Sequence, residues 1–302
     1  MRFRTALLAS AFLLGTVQAA SAQSVGRMVV DDFKYAGQDM WAVWTAPFDG
    51  SGQDWLLAAG LIAGSHALMP IDDDIDRWAV RDSASALFKS LKPFRRHGVL
   101  FQGKSLVPFA GAALIAGYAF KNQDIRDGMY GCATSWLSNN MLRHQVLYRF
   151  VRRERPNPHK DGTTPPAVEG DQYDWGLSAG DTSWGHNSWP GGHVANVAAC
   201  ASFFRHRFEM GYAEPVLWAL VAGVGVGRIA DRAHWTSDQV LGVVFGYAIG
   251  REVALRQRKR EERRRAAEGG AAAPAIPTSP RDGLYLVNDP QRGIGLGWQT
   301  AF

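Results

Sequence analysis

Six helical stretches, each several turns long, some almost wholly apolar and none with the strict alternation of a half-buried strand, most constrain what this chain can fold into. They cover residues 55–69, 106–120, 123–154, 193–208, 214–226 and 237–265. Pro108 lies near the start of its run, where a helix tolerates proline, and Pro156 closes another. The expected fold class is therefore all-α, a helical bundle. The run at 55–69 stops at Pro70 and Asp72-Asp73-Asp74, which reads as a solvated turn leading into a helix over 75–90. A calcium loop would need a glycine and a distal glutamate that this stretch lacks. Each run falls short of the ~18 uninterrupted apolar residues of a membrane span, so the helices are expected to bury against one another. Residues 215–227, followed by Arg228, leave entry into a membrane open.

The two ends of the chain differ from this body. Residues 1–22 carry Arg2 and Arg4, an apolar run and Ala20-Ser21-Ala22, the three parts of a secretory signal peptide, which implies an exported, periplasmic location. Residues 23–53 mix polar, glycine and aromatic residues and are expected to form an N-terminal arm with one short helix. The helical domain is then 54–265, followed at 266–302 by a flexible Ala-, Gly- and Pro-rich linker and a tail whose residues 284–287 and 293–298 suit a hairpin. Of 33 basic residues, loss of Arg2 and Arg4 leaves 31 against 28 acidic ones, a balance that gives no argument for a nucleic-acid partner. The basic run at 256–265 reads as a solvated helix end, with anionic lipid as the alternative partner. Cys132 and Cys200 both sit in apolar helical patterns and read as small buried side chains; a disulfide is the alternative, for which sequence cannot show the Cα spacing.

Three stretches carry chemistry. Residues 188–197 set Pro190, Gly191, Gly192 and His193 at the start of an apolar helix, where unpartnered backbone N–H groups stand beside a titratable imidazole. Upstream, Tyr148, Arg152 and Arg155 share a face if the helix continues to Pro156, presenting two guanidinium forks to one anion. Downstream come Arg228, His234 and Asp238, the last in a helix start capped by Ser237. An aspartate so placed accepts a hydrogen bond from one imidazole nitrogen and leaves the other free to attack. The loop at 157–188 holds Trp175 and Trp184, which either shape substrate entry or pack the loop; its His159 and His186 form no metal spacing.

Together these motifs resemble the tripartite signature of the type-2 phosphatidic acid phosphatase and vanadium haloperoxidase superfamily: Lys-x6-Arg-Pro, Pro-Ser-Gly-His and Ser-Arg-x5-His-x3-Asp. Arg155-Pro156, Pro190 with Gly192-His193, and Arg228, His234 and Asp238 match it, and the resemblance spans about residues 55–251. It implies His234 as the nucleophile that forms a phosphohistidine, Asp238 as its orienting partner and His193 as the proton donor to the leaving group. Arg155, Arg228 and the backbone N–H groups of Gly191 and Gly192 would bind the phosphate. No metal or cofactor is implied, except vanadate if the chain is a haloperoxidase; a non-catalytic member is a further alternative. The implied partner is a phosphorylated, lipid-linked substrate, with association at a membrane surface. Tyr148 stands where the family has lysine, Gly191 and Gly227 where it has serine. Arg152, one turn from Tyr148, is the expected substitute for the lysine charge.

Overall fold

In the computed structural model, described for residues 24–91, 94, 106–159, 164–177 and 183–267 and for the backbone of 283–289 and 293–299, the chain is predominantly helical. The signal-peptide and linker readings lie outside the described residues. Helix α1, Val25–Thr45, is capped by Ser24 and replaces the expected arm with one short helix. Distant partners fix it: Asp32 pairs with Arg126 at 2.8 Å, and Asp39 takes both terminal nitrogens of Arg260.

Helix α2, Gly52–His66, begins in a capping box formed by Ser51 and Asp54. The expected single helix over 75–90 is two, α3, Asp72–Arg81, and α4, Ala86–Ser90, because Ser85 recaps the chain by accepting a hydrogen bond from the Phe88 N–H. Asp72 and Asp73 are buried rather than solvated, which corrects the reading of the acidic run as a turn in water. Helix α5, Leu106–Ala119, leads to α6, Gln123–Met141. There the expected helix to residue 154 changes character. A π-helical turn, Leu142–Leu147, and a short turn, Tyr148–Phe150, give way to strand β1, Val151–Arg153, which pairs antiparallel with β2, Trp175–Leu177.

The centre of the bundle is the contact between α7, Gly192–Arg207, and α9, Thr236–Ala267, with α8, Ala213–Ala230, alongside. Gly242, Gly246 and Gly250 recur every four residues on α9, and a Cβ on any of them would come within 2.3 Å of a carbonyl oxygen of Gly191, Ala195 or Ala199. Only glycine permits this backbone approach, which sets the depth at which α7 meets α9. Val43, Phe203, Ile249 and Val253 fill one side of the seam, and Val194, Ala198 and Val221 the other. Cys132 and Cys200 form a disulfide with Cα atoms 4.6 Å apart, so the pairing alternative holds, and α6 is stapled to α7. Much of the basic end of α9 is paired internally, Arg260 with Asp39 and Arg256 with Glu252. The tail forms the expected hairpin, β3 at Gly283–Asp289 against β4 at Gly293–Gln299.

The apolar helices do not all bury against protein. Trp55, Leu56, Leu57, Leu61 and Ile62 of α2 are exposed, as are Phe109 and Ile115 of α5 and Val216 of α8. Two segments, Gly52–Arg81 and Ala213–Ala230, are long and apolar enough to cross a membrane, and most of each lies on the surface. Exposed apolar area on this scale needs a partner that is not water.

Candidate active site

The loops at one end of the bundle bring the three motifs together. His193 is the second residue of α7, Arg228 lies in the last turn of α8, His234 sits between α8 and α9, and Asp238 is in the first turn of α9. Arg155 follows β1, with its backbone N–H bonded to the carbonyl of Gly185. Arg232, at φ 53°, turns the α8–α9 loop; its guanidinium pairs with Asp76 and donates to the Pro156 and Pro165 carbonyls, tying this loop to the one after β1.

His234 is 1% exposed. Its Nδ1 lies 2.7 Å from the carbonyl oxygen of Ser188, which can only accept, so Nδ1 carries the proton and Nε2 presents its lone pair. Asp238 is not its direct partner, contrary to the sequence expectation. The Asp238 carboxylate takes the Ser188 hydroxyl and the Arg153 guanidinium, both at 2.5 Å, and the Trp235 N–H at 3.0 Å. As an acceptor in the first turn of α9 it satisfies that helix start, and it reaches the imidazole only through Ser188.

On the open side of His234, Arg155 Nη1 stands 3.3 Å from Nε2. Arg155 lies over the Trp184 ring at 3.7 Å and donates to the carbonyls of Trp184, Asn187 and Ala233. Among the described residues no carboxylate hydrogen-bonds to it. Burial, with the neighbouring Arg228 and Arg143, pushes its pKa down to about 10. Arg228 also faces the Trp184 ring, at 5.8 Å, and pairs with Asp231 at 3.0 Å. The loop tryptophan thus supports both arginines, and Trp175 packs against His66 and Trp189; packing is the role seen for each.

The His193 ring is edge-on to that of His234 at 5.9 Å. Burial first, then Arg228, Arg155 and Arg143, hold His193 well below the ordinary imidazole range. Burial, Arg155, His193 and Arg228 do the same to His234, against the Ser188 carbonyl. Both are therefore neutral near pH 7 until an anion offsets the arginines. Free imidazole pKa values below 6.5 rise when a dianion binds, so binding takes up protons and tightens as pH falls. Sulfate, dianionic throughout, is expected to bind more tightly by up to about tenfold per pH unit for each proton taken up, between about pH 8 and 5. Calorimetry in buffers of different ionisation enthalpy measures that uptake; an affinity flat across the range would show that the histidines do not face the anion.

Gly191 does not offer its N–H to a ligand, because it donates to the Asp238 carbonyl at 2.9 Å. A Cβ there would stand 2.9 Å from that oxygen and from Gln239 Nε2, which accounts for glycine where serine was expected. Gly192 begins α7 with the space of its missing side chain filled by the Arg143 guanidinium. Arg152 does not share a helical face with Tyr148 and Arg155, since the helix has ended; it pairs with Gly176 in β1–β2 and lays its side chain along that glycine. Sequence reasoning missed Arg143, which is buried beside the site, and Arg153, which ion-pairs with Asp72 at 2.9 Å as well as with Asp238. Both lie in the stretch where a continuous helix was expected, and a continuous helix does not bring them to the face of Arg155.

Residues 130–262 match the model of the PAP2 superfamily, and all three motifs fall inside that segment. This segment is similar to the PAP2 superfamily. A lipid A 1-phosphatase of Porphyromonas gingivalis is 39% identical over 70 residues, a match covering 21% of this chain and 15% of that protein. No solved structure matches. The PAP2 segment runs from α6 to the charged end of α9, and α1 to α5 pack on it from outside the match.

Proposed function

We propose that this chain is an exported, metal-independent acid phosphatase that hydrolyses phosphate monoesters or diphosphates, lipid-linked in its natural substrate, through a phosphohistidine. One observation carries the reading: a buried guanidinium, Arg155, to which no carboxylate hydrogen-bonds among the described residues, stands against the free Nε2 of a histidine whose other nitrogen is locked to Ser188. Buried cations without counterions are costly, and an anion at this point removes the cost. Phosphoryl transfer asks chiefly for in-line placement and fixed positive charge, which Arg155 and Arg228 supply.

His234 Nε2 attacks phosphorus, the P–N bond forms as the P–O bond to the leaving group breaks, and His193 delivers its proton to that oxygen. Water then attacks phosphorus, His193 takes its proton, and the P–N bond breaks to release phosphate. Asp238 and Ser188 hold the nucleophile in register throughout.

The lipid assignment draws support from α2 and α8. The apolar segment Gly52–Arg81, which α2 begins, contains Asp72, the partner of Arg153, and α8 carries Arg228 in its last turn. A site at the end of an apolar belt suits a headgroup phosphate at a membrane interface. The lipid A 1-phosphatase relative agrees with that substrate class. The disulfide fits an oxidising, extracytoplasmic compartment. The test is phosphate release by the chain purified in detergent, from phosphatidic acid, from lipid A 1-phosphate and from a chromogenic monoester. Release from the lipids is expected to be faster; absence of release from all three overturns the proposal.

A further inference from the structure

The arrangement around Tyr148 supplies a charge that the motif comparison left missing. Tyr148 occupies the lysine position of the first motif and is 1% exposed, so a neutral phenol stands there. Its hydroxyl donates to the Pro190 carbonyl at 3.1 Å and accepts from Arg143 Nη1 at 2.9 Å. Arg143 is buried too, five residues earlier. In an α-helix a separation of five puts side chains on different faces, but here the Tyr148 N–H bonds the Arg143 carbonyl across a π-helical turn. The wider turn brings the two side chains to one side.

Arg143 Nη2 donates to Asn140 Oδ1 at 2.7 Å, and Asn140 is tied to Asn196 of α7 at 3.0 Å. Its guanidinium lies against Gly192, next to His193, where any side chain on that glycine would overlap it. Nε is buried without a hydrogen-bond partner, and the two partners that the guanidinium has are neutral. No carboxylate pairs with Arg143 among the described residues, whereas Arg153 and Arg232, also buried, pair with two and with one. A guanidinium so held is a buried positive charge against Gly192, beside the anion site.

We propose that Arg143 is a phosphate-binding residue, aimed by Tyr148 and Asn140, and that the Tyr148–Arg143 pair does the work of the lysine. This rests on the phosphatase reading. The variants are Arg143→Gln, which retains the shape and a donor toward Tyr148, Arg143→Lys, and Arg143→Gln combined with Tyr148→Lys. Inorganic phosphate affinity is measured by calorimetry and by the thermal shift that phosphate induces, and kcat and KM with a chromogenic monoester.

Arg143→Gln is expected to weaken phosphate binding by about 10- to 100-fold and to lower kcat/KM at least as far. The unfolding temperature without phosphate should hold or rise, since a buried unpaired charge is gone. Arg143→Lys should keep most of the affinity, and Tyr148→Lys should restore at least about tenfold to Arg143→Gln. Unchanged phosphate affinity in Arg143→Gln with an active wild type overturns this inference alone. So does a large drop in thermal stability with no recovery from Tyr148→Lys, the mark of a structural residue. A wild type that neither binds nor releases phosphate overturns the phosphatase reading with it.

Discussion

Replacing His234 by alanine is expected to abolish turnover, by about four orders of magnitude or more, while leaving phosphate affinity within a few fold of the wild type. The asymmetry follows from the geometry. Arg155 is held by three backbone carbonyls, Arg228 by Asp231 and Arg143 by Tyr148 and Asn140, so none needs the imidazole for its position. What is lost is Nε2, whose nucleophilic lone pair is fixed beside Arg155. Rapid quench of the wild type with labelled substrate should trap label on protein through an acid-labile, base-stable P–N bond, absent in His234→Ala. His193→Ala separates the two imidazoles. An aryl leaving group of low pKa needs little help from an acid, so that variant should lose far more rate on alkyl than on nitrophenyl phosphates. Equal losses on both would remove His193 from the acid role, and a turnover that survives in His234→Ala would remove the covalent mechanism.

The site was legible where the sequence pattern alone sets the chemistry. His193, Arg228 and His234 meet because a short loop and fixed helix termini hold them, and spacing conveys that; Arg155 reaches them from the end of β1. Tertiary and irregular-backbone effects were not legible. The π-helical turn at Leu142–Leu147 breaks the 3.6-residue period, so a reading that extends the helix to Glu154 puts Arg152 on the anion face and Arg143 off it, the reverse of what is found. Spacing placed Asp238 near His234, and the first turn of α9 indeed brings it close, but Ser188 stands between them, its hydroxyl donating to Asp238 and its carbonyl accepting from His234. The acidic run at 72–74 looked like solvent because nothing local announces that Arg153, 81 residues away, pairs with its first member. The exposure of α2 was hidden for a simpler reason: an apolar helix has the same composition whether it faces protein or lipid.

Arg153→Ala is expected to cost about 3–5 kcal/mol of stability, because it leaves two carboxylates buried without their counterion. The Arg153 side chain and those of Asp72 and Asp238 are fully buried, and Arg153 bonds both carboxylates together with the Ser237 hydroxyl and the Gln172 carbonyl. Arg153 therefore ties the start of α3 to the start of α9. Thermal unfolding in detergent measures the loss, and Asp72→Asn added to Arg153→Ala should recover part of it by removing one stranded charge. A loss under about 1 kcal/mol would mean that the cluster is open to water. The catalytic consequence runs along the same bonds. With Arg153 gone, Asp238 loses the partner on Oδ1, the Ser188 hydroxyl loses a fixed acceptor, and the carbonyl that sets the His234 tautomer is free to shift. Turnover per folded molecule should fall more than phosphate affinity. Ser188→Ala isolates that last link, since it cuts the hydroxyl bond to Asp238 and keeps the carbonyl. It should lower kcat with little change in KM, and an unchanged kcat would mean that Asp238 acts on His234 by some other route.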